Sequence, residues 1–206
     1  MKSPDTTPAP RKTGRPRSFD RDAALEQAMF AFWRHGYETT SIADLTAAMG
    51  VTAPSLYTAF GDKQRLFLEA VQRYAGDPQA MADRIASAAT AYDAARDLLT
   101  GAAIAYTGDA TPKGCLLASA TASGSPDSAA VQRAVADIRT GIARHLAARI
   151  ERDMAGGALP QDTDPAALAG LVMAVIQGMS VLARDGASRA TLLSIGTAAL
   201  AAWPMR

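Results

Sequence analysis

Residues Thr39 to Phe67 read TTSIADLTAAMGVTAPSLYTAFGDKQRLF, a run whose capping residues mark two short helices and the opening of a third. Ser41 offers a hydroxyl that accepts from the free amides of a helix start, and Asp44, three residues on, suits its positive end. Ile42, Leu45 and Met49 share one face at helical spacing, while Ala43, Ala47 and Ala48 let a neighbour approach closely. Gly50 follows where a helix C-terminus calls for a left-handed residue, and Val51 plugs the turn. Thr52 caps the next segment, and Pro54 stands in its first turn, where a missing amide hydrogen is harmless. The stretch is a helix-turn-helix.

The second helix of the pair, Ala53 to Phe60, carries its apolar anchors Leu56 and Phe60 four apart and turns Ser55, Tyr57 and Thr58 outward. An exposed tyrosine between hydroxyl residues suits a helix lying in a DNA major groove, whose N-terminal residues reach base edges and phosphates. It also suits a bare helical hairpin in which Ser and Thr serve only as caps. Spacing leaves both readings open.

With their fixed spacings, Thr39, Thr40, Ser41, Ile42, Ala43, Gly50, Val51, Ser55, Leu56, Tyr57, Phe60, Lys63 and Leu66 resemble the DNA-binding motif of the TetR family (TetR/AcrR type) of transcriptional regulators, over residues 15–75. The resemblance implies an all-α protein. A flexible basic arm, 1–17, would precede a three-helix helix-turn-helix DNA-binding domain, 18–75, and a helical effector-binding and dimerisation domain would fill 76–206. It further implies a cytoplasmic, ligand-responsive repressor that binds a palindromic operator in double-stranded DNA as a homodimer and is released by an unknown small-molecule effector. Carried onto this sequence, the DNA contacts fall to Arg15 and Arg17 of the arm and to Thr40, Ser41, Thr52, Ala53, Pro54, Ser55, Tyr57, Thr58 and Lys63. The pair Ala53-Pro54 departs from the small residues common at that point of the family, which bears on which bases are read.

Outward on the N-terminal side, Asp20 to His35 is a supporting helix with Leu25, Met29, Phe32 and Trp33 on an apolar stripe. His35 precedes Gly36 at its end, where an imidazole donor suits unpaired carbonyls, and Tyr37 packs or meets a phosphate. Lys2, Arg11, Lys12, Arg15 and Arg17 stand against Asp5 alone before Ser18. That segment lacks the apolar core of a secretion signal. Gly14-Arg15-Pro16-Arg17 reads as an arm along a phosphate backbone or in the minor groove. On the other side, Lys63 lies in the first turn of a helix running to about Ala75. A cation there opposes the helix dipole and asks for a partner, which the resemblance makes a DNA phosphate.

The whole chain has 206 residues, 21 Lys plus Arg against 20 Asp plus Glu, so any DNA contact must come from a local patch rather than from bulk charge. Abundant alanine and few aromatics favour helix throughout. One cysteine excludes an internal disulfide framework and fits a reducing compartment.

Beyond Gly76-Asp77-Pro78, alanine-rich helix is expected to Tyr106 with a break near Thr90 to Asp93. A loop, Thr107 to Gly114, leads to a buried helix start at Cys115, and Ser123 to Asp127 form a second loop. A long helix follows over about Ser128 to Met154. Its Val131, Val135, Ile138, Ile142, Leu146 and Ile150 keep spacings of three and four, and Arg133, Arg139, Arg144, Arg149 and Arg152 make a solvated surface. After Asp164-Pro165, the run Ala166 to Ala183 holds no charge and reaches the length of a membrane span. Alanine, glycine and Gln177 dilute it, so no membrane role is expected. Ala166, Gly170, Ala174 and Gly178 form a row of small residues at four-residue intervals, suited to a tight seam within the chain or between chains. The resemblance favours a dimer seam, joined by Leu192, Ile195, Leu200 and Trp203 of the last helix, Ala187 to Trp203.

Catalysis is poorly supplied. The histidines are His35 and His145 alone, no HExxH, CxxC, Walker or GxSxG pattern occurs, and neither a metal site nor a cofactor is expected. Candidate effector-pocket walls are Tyr92, Leu99, Ala103, Tyr106, Cys115, Leu117, Met173 and Gln177, which would serve equally as plain core. Cys115 itself reads either as an oxidant or electrophile sensor aided by Lys113 or as a small buried hydrophobe. Two function classes therefore stand side by side: a ligand-responsive DNA-binding regulator, and a helical adaptor whose helix-turn-helix is only architecture.

Overall fold

The computed structural model describes residues 20–119 and 128–204, which form helices joined by short turns with no strand among the described residues. Three of them, α1 (Arg21–His35), α2 (Ile42–Met49) and α3 (Ala53–Phe60), make the head, and α4 (Lys63–Ala75) links it to the rest. The body holds α5 (Pro78–Ser87), α6 (Ala91–Tyr106), the single turn α7 (Leu116–Ser119), α8 (Ala129–Ala155), α9 (Pro165–Arg184) and α10 (Arg189–Leu200). The loop Ser123 to Asp127 lies outside the described residues.

Caps set most boundaries. Asp20, Thr90, Asp164 and Ser188 each accept from amides in the first turn of the helix they open. The break foreseen near Thr90 is the three-residue connection Ala88 to Thr90 between α5 and α6. Each helix buries one stripe: Leu25, Met29 and Phe32 on α1, Leu66, Phe67 and Ala70 on α4, Leu146 and Ile150 on α8. The head core is aromatic, with Phe67 edge-on to both Phe32 and Tyr37 at 5.0 Å between ring centres.

The arginines of α8 are not all a solvated surface. Arg149 is 8% exposed and clasps the α5–α6 connection. Its Nη2 donates to Ala89 O at 2.6 Å and to Ala88 O at 3.2 Å, and its Nη1 pairs with Asp153. The second oxygen of Asp153 accepts the Ala91 amide at 2.6 Å. Arg139 and Arg152 likewise donate to the carbonyls of Leu117 and Ala86. Helix ends leave carbonyls and amides without partners, and here a neighbouring helix supplies them, a match between segments 22 to 66 residues apart that periodicity cannot show.

The apolar helix Pro165–Arg184 is long and apolar enough to cross a membrane by length and composition, and in this fold it packs on α6, α8 and α10.

Candidate nucleic-acid interface

The turn of the helix-turn-helix is built by backbone chemistry. Ser41 and Asp44 form a reciprocal capping box: the Asp44 amide donates to Ser41 Oγ at 3.1 Å, and the Ser41 amide donates to Asp44 Oδ2 at 2.9 Å. Those Ser41 hydrogen bonds hold the Asp44 carboxyl below its ordinary value. Gly50 ends α2 at φ 66°, ψ 32°, a left-handed conformation that glycine adopts without strain. The Val51 amide then donates to Thr46 O at 3.1 Å, and half-buried Val51 packs on the core. Thr52 caps α3 through the Ser55 amide, and the two hydroxyls share a bond of 2.9 Å.

Leu56, fully buried, and Phe60 fasten α3 inward. The opposite side presents Thr52, Pro54, Tyr57 and Thr58 to solvent, with Ala53 and Ser55 half-buried beside them. Tyr57 is 48% exposed, and its hydroxyl has no hydrogen-bond partner among the described residues. Thr58 turns its hydroxyl back onto Pro54 O at 2.8 Å. Arg21 braces the helix from behind, its guanidinium 4.4 Å from the Phe60 ring centre while Nη2 bonds Glu69 at 2.7 Å. Nothing in the sequence announced that brace, because Arg21 and Glu69 stand on separate helices 48 positions apart.

Lys63 is half-buried. Its Nζ donates to Glu38 O at 3.3 Å and sits 4.6 Å from the centre of the Tyr37 ring. Burial lowers its pKa, and the Glu38 carboxylate opposes that shift. The partner its helix position asked for is thus present within the chain, while Asp62, accepting the Arg65 amide at 2.8 Å, caps α4 and offsets the unfavourable cation.

Two head assignments need correction. Thr40 is 1% exposed, and its hydroxyl donates inward to Gly36 O at 2.6 Å, so its side chain braces the α1–α2 turn and is closed to a phosphate. His35 is exposed and makes no hydrogen bond through its ring among the described residues. The carbonyls at the end of α1 are met instead by the Thr39 hydroxyl, which donates to His35 O, and by the Gly36 amide, 2.8 Å from Phe32 O. Arg15, Arg17 and the rest of the arm lie outside the described residues.

The head meets the body at the end of α1. Tyr74 of α4 stands edge-on to Trp33 at 4.8 Å, and its hydroxyl donates to Cys115 Sγ at 3.3 Å. Arg184, the last residue of α9, donates to Trp33 O at 2.8 Å and to Ser119 Oγ. Gly114 makes the approach possible: at φ 80° it lies so close that a Cβ would fall 2.8 Å from Ser180 O. Cys115 is buried, its amide donating to Ser180 Oγ at 2.8 Å. Lys113 does not reach the thiol; its amine is held by Thr107 O, Gly108 O and Asp109. The surroundings are those of a packed side chain.

The candidate pocket walls are mostly packed side chains. Leu99, Ala103, Tyr106, Cys115 and Leu117 are buried core, Met173 and Gln177 are half-buried on α9, and Tyr92 is exposed with its ring edge-on to Trp203. Helix α6 is covered by both α9 and α10, so the chain itself fills that face. A cavity of about 660 Å³ opens elsewhere, between α4, α5 and α8. The dimer residues divide similarly. Ala166, Gly170, Ala174 and Gly178 lie exposed along α9, and a Cβ on either glycine would meet nothing within 4 Å. Leu192, Leu200 and Trp203 are instead buried in their own protomer, and Ile195 is half-buried. Leu192 and Gly196 mark the face of α10 turned to α6, where a Gly196 Cβ would come 3.3 Å from Leu99.

The head and the body each match a known family description. Residues 24–70 match bacterial regulatory proteins of the tetR family, and residues 93–192 match the tetracyclin repressor-like C-terminal domain. The chain is 37% identical over 203 residues to the HTH-type transcriptional repressor ComR of Escherichia coli K12, covering 97% of each protein. Among solved structures it resembles a cysteine mutant of the TetR-family regulator CifR complexed with 26-base-pair double-stranded operator DNA, with 42% identity, a TM-score of 0.85, and 93% of this chain and 100% of that chain covered. A putative TetR regulator from Rhodococcus sp. RHA1 is 38% identical with a TM-score of 0.61, over 89% of this chain and 98% of that one. With a capped helix-turn-helix at one end, a helical body at the other and likeness running nearly its full length, the chain belongs to the TetR family of bacterial regulatory proteins, as a DNA-binding transcriptional regulator and not an enzyme.

Proposed function

We propose that this protein is a transcriptional repressor that binds a palindromic operator as a homodimer and is released by a small-molecule effector. The carrying observation is the outward side of α3, where Tyr57 stands 48% exposed, its hydroxyl without a partner among the described residues, on a helix braced from behind by Leu56, Phe60 and Arg21. In a major groove, Ser55, Tyr57 and Thr58 would face base edges while Ser41, Thr52, Lys63 and the Ala53 amide meet phosphates, with the Pro54 ring packed against the backbone beside them. Residues 18–75 are the reading domain, 76–206 the effector-binding and dimerisation domain, and 1–17, with Arg15 and Arg17, the arm. The operator complex of CifR and the repressor activity named for ComR support this reading.

The dimer seam is the exposed α9 row. Glycine inside a helix costs roughly 1 kcal/mol against alanine, and neither Gly170 nor Gly178 is required by packing within the protomer. A second copy pressed against the row accounts for both. Exposed Val181 and Leu182 continue the apolar face. Two heads must then sit about one DNA turn apart, ~34–36 Å. An effector that binds the released arrangement better than the DNA-bound one moves the equilibrium. Tyr74 and Arg184 carry the motion, since they join α4 and α1 to the body.

The test is a mobility shift on DNA flanking the gene at several salt concentrations, beside sedimentation of the wild type and Gly178→Leu. Binding that favours one fragment and falls steeply with salt, with the variant monomeric and poorly bound, is the expected result. A monomeric wild type, or equal affinity for random duplex, removes the reading.

A further inference from the structure

We propose that the cavity between α4, α5 and α8 is a binding site for a small monocarboxylate with a bulky apolar body. The regulatory meaning of the site rests on the effector-released reading above; the binding itself is argued from the cavity alone. At about 660 Å³ it has the size of a drug-sized ligand site. Its floor is apolar, formed by Val71 of α4, Met81 of α5 and Ile138 and Ile142 of α8. Gly141 also lines it, near the middle of a 27-residue helix, with nothing within 4 Å of where its Cβ would stand. No packing among the described residues requires that glycine, and its effect is to keep the space open against the helix-propensity cost.

The polar groups are confined to the rim. Gln72, Asp137, Arg144 and His145 all line the cavity, all are exposed, and none has a side-chain hydrogen bond or ion pair among the described residues. Arg144 is a permanent cation with donors only, in a fork that matches a carboxylate. Gln72 and His145 add donors. Asp137 is the single acid, seven residues and two helical turns before Arg144, about 10 Å along the axis. It is too far to compete for the same oxygen pair, and a carboxylate held at Arg144 leaves it clear. An apolar body over Val71 and Ile142 with its charged end at Arg144 uses both halves of the site. It also wedges α4 against α8, the two helices that carry those residues.

Calorimetry on the full-length protein without DNA tests the assignment, using naphthylacetate and decanoate, each beside the alcohol of the same skeleton. The acids are expected to bind about twofold to fivefold more tightly than their alcohols, the range of an exposed ion pair. Arg144→Gln should bring each acid to the level of its alcohol. Gly141→Leu should abolish binding of all four with its melting transition retained, and Gly141→Ala should weaken it by a smaller factor. Alcohols that match their acids, an unchanged ratio in Arg144→Gln, undiminished binding in both Gly141 variants, or no binding by any probe would each overturn the proposal. Acids that bind in the expected pattern yet leave an operator complex intact would sustain the site and remove the effector reading.

Discussion

Replacing Lys63 by methionine separates what this side chain does inside the protein from what it does for DNA. The amine makes one hydrogen bond, 3.3 Å to Glu38 O, and one cation–π contact, 4.6 Å to the Tyr37 ring centre. A neutral-acceptor bond of this kind contributes ~0.5–1.5 kcal/mol net, and a partly exposed cation–π contact ~0.5–1 kcal/mol. Methionine retains much of the apolar stem, so Lys63→Met should cost about 1–2.5 kcal/mol of stability in urea unfolding and leave the fold intact. The same amine has further donors and is half-exposed, open to a phosphate. Losing one phosphate contact lowers the slope of log K against log salt by roughly 0.9. A dimer has two copies, so the slope should fall by about 1.8. Lys63→Arg, keeping the charge, should restore most of the slope. An unchanged slope in Lys63→Met, with stability lowered as expected, would make Lys63 an internal clasp alone and refute its place in the DNA interface.

Arg149→Met should destabilise by about 3–5 kcal/mol, because it strands buried Asp153 and leaves the carbonyls of Ala88 and Ala89 unmet; equilibrium unfolding reads the loss. Leu56→Ala removes a fully buried anchor of α3 and should cost ~2–5 kcal/mol, with operator affinity falling further than in variants of exposed α3 residues of the same stability. The Asp44 carboxyl is held below its ordinary value by Ser41. Its contribution is therefore fully present above the unfolded value, about pH 4, and is lost as pH falls through the lower folded value. Asp44→Asn should flatten that part of the stability–pH profile, and an identical acid limb in wild type and variant would remove the capping box from the account.

The head was nearly all legible in the sequence. Caps, a left-handed glycine and apolar spacing act within one or two turns, so Ser41, Gly50, Thr52, Leu56 and Phe60 announce their roles from local order alone. The helical body and the row of small residues on α9 were legible for the same reason, though not whether that row would be covered. What local order could not contain were the pairings between distant segments. Arg149 looked like surface until the α5–α6 connection was laid beside it, and Lys63 looked unpartnered until Glu38 and Tyr37 came under its amine. Thr40 faced inward because the α1 end needed a donor.

The apolar residues of α6, α7 and α10 show the limit most clearly. Periodicity says which side of a helix seeks cover, but which neighbour covers it depends on how all the helices share one volume. The chain covered α6 with α9 and α10, turning Leu192, Leu200 and Trp203 inward, and left a cavity between α4, α5 and α8. Sequence by itself determined the family, the helices and the helix-turn-helix, because these follow from contacts a few residues long. Only the tertiary structure decided where the cavity opens and which faces stay free, because close packing is settled by all the elements together.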